Sequence, residues 1–125
     1  MTKTYHVTLP YPDHCLSPNA RVNRYTVARA RRQQKDDAYY AGLQALTPPV
    51  WSDLHLHPPN RVALKWLASP PDGRRRDDDN LIGSLKAARD GLAIALGVDD
   101  SVMACSGVEW REPVKGGQVV AEIKI

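Results

Sequence analysis

The segment from Arg61 to Gly97 constrains the fold most. "RVALKWLAS" is a β-rich run ended by the turn "PPDG". Residues 80–96 then read as a helix stopped by Gly97. Within it Leu81, Leu85, Ala88, Leu92 and Ala95 alternate spacings of four and three. That makes a narrow apolar seam with small residues, suited to a core or to a partner helix. Between strand and helix stands "RRRDDDNL", where three arginines run into three aspartates and the charges from Arg74 to Asp79 cancel.

The rest of the chain arranges itself around that unit. "TYHVTLP" alternates as a strand and is stopped by Pro10 and Pro12, and "DHCLSPNARVN" reads as a loop. Tyr25 to Leu46 is helix-compatible and basic in its first half, with Tyr39, Leu43 and Leu46 as a core-facing stripe. "TPPVWSDLHLHPPN" reads as a Pro-punctuated loop. "VMACSGVEWRE" and "QVVAEIKI" flank "PVKGG" and predict a closing hairpin turning near Gly116–Gly117. The order β-α-β-α-β-β predicts an α+β fold: a small mixed sheet with two helices on one face, in one domain over 1–125.

At 125 residues the chain can build one core but not two. No apolar run approaches the roughly 20 residues of a membrane helix, and the N-terminus has no long apolar region of the signal-peptide kind. Cys15 and Cys105 stand far apart and form no CxxC, which argues against structural zinc. A reduced, cytoplasmic chain with no membrane partner is the expectation, nucleoid-associated during recombination if it acts on DNA.

The net charge of +3 is modest but unevenly spread. Residues 1–35 carry Lys3, Arg21, Arg24, Arg29, Arg31, Arg32 and Lys35 against the single acid Asp13, a local +6. Eleven of the seventeen cations are arginine, whose forked guanidinium suits phosphate. A polyanion such as nucleic acid is the partner this distribution suits.

Asp77 and Asp79 are two apart, so in an extended segment both side chains face the same way and can meet one cation. Mg²⁺ takes oxygen ligands and usually relies on one or two carboxylates plus water and substrate phosphate. Asp78 would point away or cap the helix, as Asn80 also could. The plainer reading of the run is an N-cap on a solvated surface. The arginines weigh against it, because metal-assisted phosphodiester cleavage needs anionic metal ligands beside cationic phosphate holders. A second acidic pair, Asp99–Asp100, follows Gly97, where the helix dipole disfavours acids and a cation would compensate. Asp79, Gly83 and Lys86 share one face of a continuous helix, with Gly83 leaving that face open. Lys86 would hold a phosphate or stabilise the leaving oxygen, or else pair with Asp90 at i,i+4.

His55 and His57, without a companion acid or nucleophile motif, take no role, and Cys105 reads as buried filler. GxSxG, Walker A and GxGxxG are absent, which leaves acyl transfer, P-loop hydrolysis and dinucleotide chemistry without support.

Taken together, "VTLPYP", "LSPNARVNRY", "RRRDDDNL" with "KAARDGL", "VDDSV" and "VKGG" resemble the RusA family of Holliday junction resolvases, found in bacteria and their prophages. The resemblance spans nearly the whole chain. Its specific part is a DxDN motif preceded by arginines and followed about twenty residues later by a DD. It implies a homodimer that depends on Mg²⁺, with Mn²⁺ as a substitute, and nicks two strands symmetrically at four-way junction DNA. The family's acids carry over as Asp77, Asp79 and Asp100, all three as catalytic metal ligands. The family lysine position is held here by Gly83, and Lys86 stands three residues further on, as though three residues were inserted. Arg74, Arg75 and Arg76 would hold phosphates and temper the repulsion among the acids. Arg21, Arg24, Arg29, Arg31, Arg32 and Lys115 would add backbone contacts. The rival readings are a non-catalytic nucleic-acid binder with a basic helix and a metal-dependent hydrolase of small phosphate esters.

One expectation is independent of the resemblance. A helix over 80–96 is about 25 Å long, and the four residues from its end to Asp100 can fold back by at most about 14 Å. At least roughly 11 Å then separates Asp79 from Asp100, too far for easy joint ligation at about 2.1 Å from one Mg²⁺. A twofold dimer that pairs this helix antiparallel with its mate, through the Leu81–Leu85–Ala88–Leu92 seam, would unite the two acid sets in two equivalent sites.

Overall fold

The computed structural model describes residues 3–125. Strand β1 (Thr4–Pro10) leads through a 3₁₀ turn at His14–Leu16 into α1 (Arg24–Ala45) and α2 (Pro48–Leu56). Strand β2 (Val62–Ser69) is followed by α3 (Asp78–Ser84) and α4 (Lys86–Leu96). A second 3₁₀ turn at Asp100–Val102 then enters β3 (Met103–Trp110), and β4 (Gln118–Lys124) closes the chain. The fold is α+β; the first expected helix is present unbroken as α1, α2 is an addition, and the second expected helix is divided into α3 and α4.

The sheet is mixed, with strand order β1-β4-β2-β3. Strand β4 lies antiparallel between β1 and β2, whereas β3 runs parallel to β2 on the outside. The expected β3–β4 hairpin does not form. Val119, Ala121 and Ile123 of β4 are buried, and a central position buries them better than an edge would. Strands β2 and β3 with the intervening helices form a βαβ unit, the arrangement a parallel pair requires. Alternating burial along β1 and β4 marks one covered face.

Helix α4 packs on α1 at backbone range. A Cβ at Gly91 would lie 2.3 Å from the Lys35 carbonyl oxygen, so only glycine permits this crossing. The buried face of α1 is accordingly Ala38 and Gly42; of the expected stripe Leu46 is buried, whereas Tyr39 and Leu43 are only half-buried, one residue out of phase. The seam Leu81, Leu85, Ala88, Leu92 and Ala95 is at most 4% exposed. It is therefore core and cannot be the face on which a second copy docks.

Helix α2 occupies the segment expected to be a loop. Pro48 and Pro49 stand at its first positions, where a missing N–H leaves no helical bond unmade. The helix expected over 80–96 is interrupted at Leu85 (φ −104°, ψ 11°). The interruption frees backbone groups, and Gln34 of α1 takes up two of them. Its Nε2 donates to the Ser84 carbonyl at 2.9 Å, and its Oε1 accepts from the Ala88 N–H at 3.0 Å. Among the described residues no helix is long and apolar enough to cross a membrane.

Candidate active site

The turn after β2 is organised by Asp72, a residue the sequence reading passed over. Its carboxylate accepts from the Arg74 backbone N–H at 3.0 Å, from Arg74 Nε at 3.2 Å and from Arg76 Nη2 at 2.9 Å. The Arg74 N–H, then the two guanidinium groups, hold its carboxyl well below the usual carboxylate range. Arg76 also donates to the carbonyls of Asp72 (2.9 Å) and Arg74 (2.8 Å), and it lies over the Tyr11 ring. Its side chain is 17% exposed. The expected division of labour changes as a result: Arg74 and Arg76 pair with Asp72 and not with the aspartate run. Arg75 is exposed and enters no ion pair among the described residues.

The three aspartates separate by role. Asp78 accepts a 2.6 Å hydrogen bond from the Trp110 indole Nε1, which ties the start of α3 to the end of β3. Asp77 holds the N-cap position but its side chain makes no capping bond. The Asn80 side chain accepts from Asn19 at 3.3 Å and does not cap either. No ion pair among the described residues uses Asp77 or Asp79. Both lie exposed in the first turn of α3 or just before it. Asp77 lines a cleft of about 670 Å³ together with Tyr11, His14, Arg75, Asn80 and Trp110.

Asp99 and Asp100 divide in the same way. Asp99 caps the 3₁₀ turn, accepting from the Ser101 N–H at 2.9 Å, and that bond lowers its pKa. The Asp100 carboxylate lies beside it, and the Asp100 carbonyl accepts from Arg89 Nη2 at 3.1 Å. Arg89, a second residue missed in the sequence, also donates to the Met103 carbonyl at 2.5 Å. It thereby ties α4 to the start of β3.

These two tethers fix the spacing of the acids. Asp78 is held at the Trp110 end of β3 and Asp100 near the Met103 end. Seven strand steps of roughly 3.3 Å make that about 23 Å. Along the helices, eleven residues from Asp78 to Arg89 at about 1.5 Å give some 16 Å. The two paths put the Asp77–Asp79 run roughly 16–23 Å from Asp100 within one chain. Among the described residues no three His, Cys, Asp or Glu side chains come together as a metal-ligand group.

Lys86 is exposed and lies past the break, so the continuous face expected for Asp79, Gly83 and Lys86 does not exist. It lines a groove with Trp66, Ile82, Arg89 and Cys105, and it forms no ion pair with Asp90. Gly83 is not an open site. It is exposed and lines the same groove as Lys86, but a Cβ there would lie 2.7 Å from Pro18 Cγ, so a larger residue at the position where the family pattern has lysine requires Pro18 to shift.

Arg24, Arg29, Arg31, Arg32 and Lys35 are exposed on α1, and Arg21 is exposed just before it. Asn23 caps the helix by accepting from the Tyr25 N–H at 2.8 Å. Arg29 and His14 share a second cleft, and His14 also lines the cleft of Asp77. Arg29 of the basic helix and Asp77 thus line adjoining clefts that share His14. Lys115 is exposed in the β3–β4 connection, which the Val114 N–H ties to the Pro70 carbonyl at 2.9 Å. That bond brings the connection to the turn that precedes the arginines.

No family model matches the chain. It is 31% identical over 117 residues to the crossover junction endodeoxyribonuclease RusA of Enterobacteria phage 82, covering 93% of this chain and 90% of the relative. The Escherichia coli K12 protein of the same name shows the same identity and coverage. An uncharacterised protein of Xylella fastidiosa is 38% identical over 118 residues, 94% of this chain and 74% of that one. The chain belongs to the RusA family. The family reading made from the DxDN and DD motifs agrees with these relatives, which are named as crossover junction endodeoxyribonucleases.

Proposed function

We propose that this chain is a Mg²⁺-dependent, structure-selective endonuclease that resolves four-way DNA junctions by paired nicks, working as a homodimer. One observation carries the reading. In each acidic run the structural duty falls on a neighbour, Asp78 or Asp99; among the described residues Asp77 and Asp79 enter no side-chain hydrogen bond or ion pair, and the Asp100 carboxylate meets only Asp99. Exposed carboxylates that no side chain engages are free to take a cation. Two carboxylates completed by water and substrate phosphate suit Mg²⁺. Asp77 and Asp79 would hold the ion, which when bound supplies a Lewis acid and an activated water.

The chain's own side chains do the rest. Arg75 and Lys86, both exposed, would neutralise phosphate near the scissile bond. Arg76 keeps the 72–76 loop rigid so that Asp77 meets the cleft at a fixed angle. Arg21, Arg24, Arg29, Arg31 and Arg32 follow the backbone of an adjoining arm without reading its sequence. Lys115 would do the same from the β3–β4 connection. Asp100, at the far end of β3, would reach a metal only in a partner copy, giving two equivalent composite sites.

The test is cleavage of a four-way junction beside a linear duplex of matched sequence, with Mg²⁺ and with chelator. The proposal expects paired nicks in the junction alone and only with metal. Asp79→Asn should remove cleavage while junction binding is kept. Binding without cleavage by the wild type would support the non-catalytic reading, and equal cutting of the duplex would remove structure selectivity.

A further inference from the structure

Tyr25, in the first turn of α1, is 66% exposed and is not among the apolar residues packed against the core. A ring of this size left in water forgoes a large burial. It is nevertheless held in place. The Tyr25 N–H donates to the Asn23 side chain at 2.8 Å. The Arg24 guanidinium lies over one face of the ring, 5.1 Å from its centroid, and Arg24 Nη2 donates to the Tyr25 hydroxyl at 3.3 Å. No aromatic ring among the described residues stacks on Tyr25, so its second face is left to solvent. Arg29 and Arg32 follow at i+4 and i+7 on the same side of the helix, both exposed. The exposed Val22 beside Tyr25 lines, with Arg29, the cleft that adjoins that of Asp77. No acid occurs between His14 and Lys35. The same helix supplies a contrast in Tyr40, which is 63% exposed but meets Tyr39 edge-on and follows Asp36 and Asp37 by one turn. Of the two free rings, the one among arginines suits a polyanion whose bases have flat faces.

Building on the branched-DNA reading above, we propose that Tyr25 senses interrupted base stacking. Its free face, backed by Arg24, stacks on a base that has lost a neighbour at a branch point or beside an unpaired nucleotide. Arg29 and Arg32 hold the phosphates of the adjoining arm. In a continuous duplex each base is covered by the next on both faces, and the ring finds nothing to stack on. Every base has a π-face, so the contact is blind to sequence and reads structure alone. Selectivity for branched DNA then begins at binding, in a side chain separate from the aspartates that would hold the metal.

Tyr25→Ala, Tyr25→Phe and the control Tyr40→Ala are compared with the wild type, all as full chains. Both rings are exposed, so the variants keep the fold. Binding is measured in chelator at several salt concentrations. The probes are a paired duplex, the same duplex with one unpaired base, and a four-way junction. Removing a stacked ring lowers affinity by roughly five- to a hundred-fold. Tyr25→Ala should lose that much on the bulged duplex and on the junction, and should keep its affinity for the paired duplex. Its slope of log K against log salt should match the wild type, because stacking releases no counterions. Tyr25→Phe should bind as the wild type does, since the ring face and not the hydroxyl makes the contact, and so should Tyr40→Ala. Unchanged affinity for the bulged duplex would overturn the stacking role and leave the free ring to a protein partner. An equal loss on the paired duplex, a flatter slope, or a matching loss in Tyr40→Ala would overturn it as well. No arm depends on cleavage. A wild type that binds as described but cuts no junction with Mg²⁺ would refute the proposed nuclease function and leave the role of Tyr25 standing.

Discussion

Replacing Gln34 with Met severs the clip between α1 and the α3–α4 interruption while keeping side-chain length. The Ser84 carbonyl and the Ala88 N–H each lose a partner in a part-buried setting. A buried group left unsatisfied costs about 1–3 kcal/mol, so the pair should cost about 2–3 kcal/mol given the partial burial. For a domain of this size that lowers Tm by roughly 10 °C. In urea it lowers the midpoint by about 1.5 M, at a slope near 1.5 kcal/mol/M that should not change. Hydrogen exchange adds a local readout: the Ala88 amide should exchange much faster, while amides deep in β4 follow only the global loss. Urea titrations of the two proteins with exchange read residue by residue make the assay. A Met variant within about 0.5 kcal/mol of the wild type, with Ala88 still protected, would show that the interruption closes on itself and that Gln34 is incidental.

Three further outcomes follow from the same geometry. Gly91→Ala forces a Cβ against the Lys35 carbonyl and should destabilise by about 3 kcal/mol, seen as a lower thermal midpoint; an unchanged midpoint would contradict the close crossing of α1 and α4. Reducing Arg29, Arg31 and Arg32 to Ala should weaken junction binding and flatten the slope of log K against log salt by about 0.9 per lost phosphate contact; an unchanged slope takes α1 off the DNA. Asp72 has a folded pKa below its ordinary value of 3.8, so its contribution to stability is present above that value and fades as pH falls through the lower one. The stability gap between wild type and Asp72→Asn should therefore narrow on acidification from about pH 6, and a gap that widens would reverse the assignment.

The parts of this fold that were legible in the sequence are those fixed by local chemistry. The strands announced themselves by β-rich or alternating composition, and the second helical block by its seam and by Gly97. The proposed metal ligands were picked out by the DxD spacing and the arginine neighbours, both short-range features. Strand pairing was not, because a nearby turn at Gly116–Gly117 suggested a hairpin while burial of Val119, Ala121 and Ile123 carried β4 between β1 and β2. The interruption at Leu85 left no trace in periodicity, since the apolar seam runs through it. Its stabilising partner, Gln34, lies 50 residues away from Ser84 in the chain. Helix α2 did carry a clue: Thr47 before Pro48 and Pro49 is a helix start as much as a loop. Asp72 was hidden inside a turn tetrapeptide, where an acid ordinarily serves the turn alone. The division of labour within DDD and DD depends on Trp110 and Ser101, which only the fold brings to them.

The central claim is that the acids of one chain work with those of another. An Asp79→Asn chain and an Asp100→Asn chain, each inactive alone, are mixed under conditions where subunits exchange, and junction nicking is measured with Mg²⁺. In the heterodimer one composite site loses both ligands and the other keeps Asp77, Asp79 and the mate's Asp100, so nicking of a single strand should return. If exchange is verified and no nicking returns, each site lies within one chain, and the distance argued here between Asp79 and Asp100 is wrong.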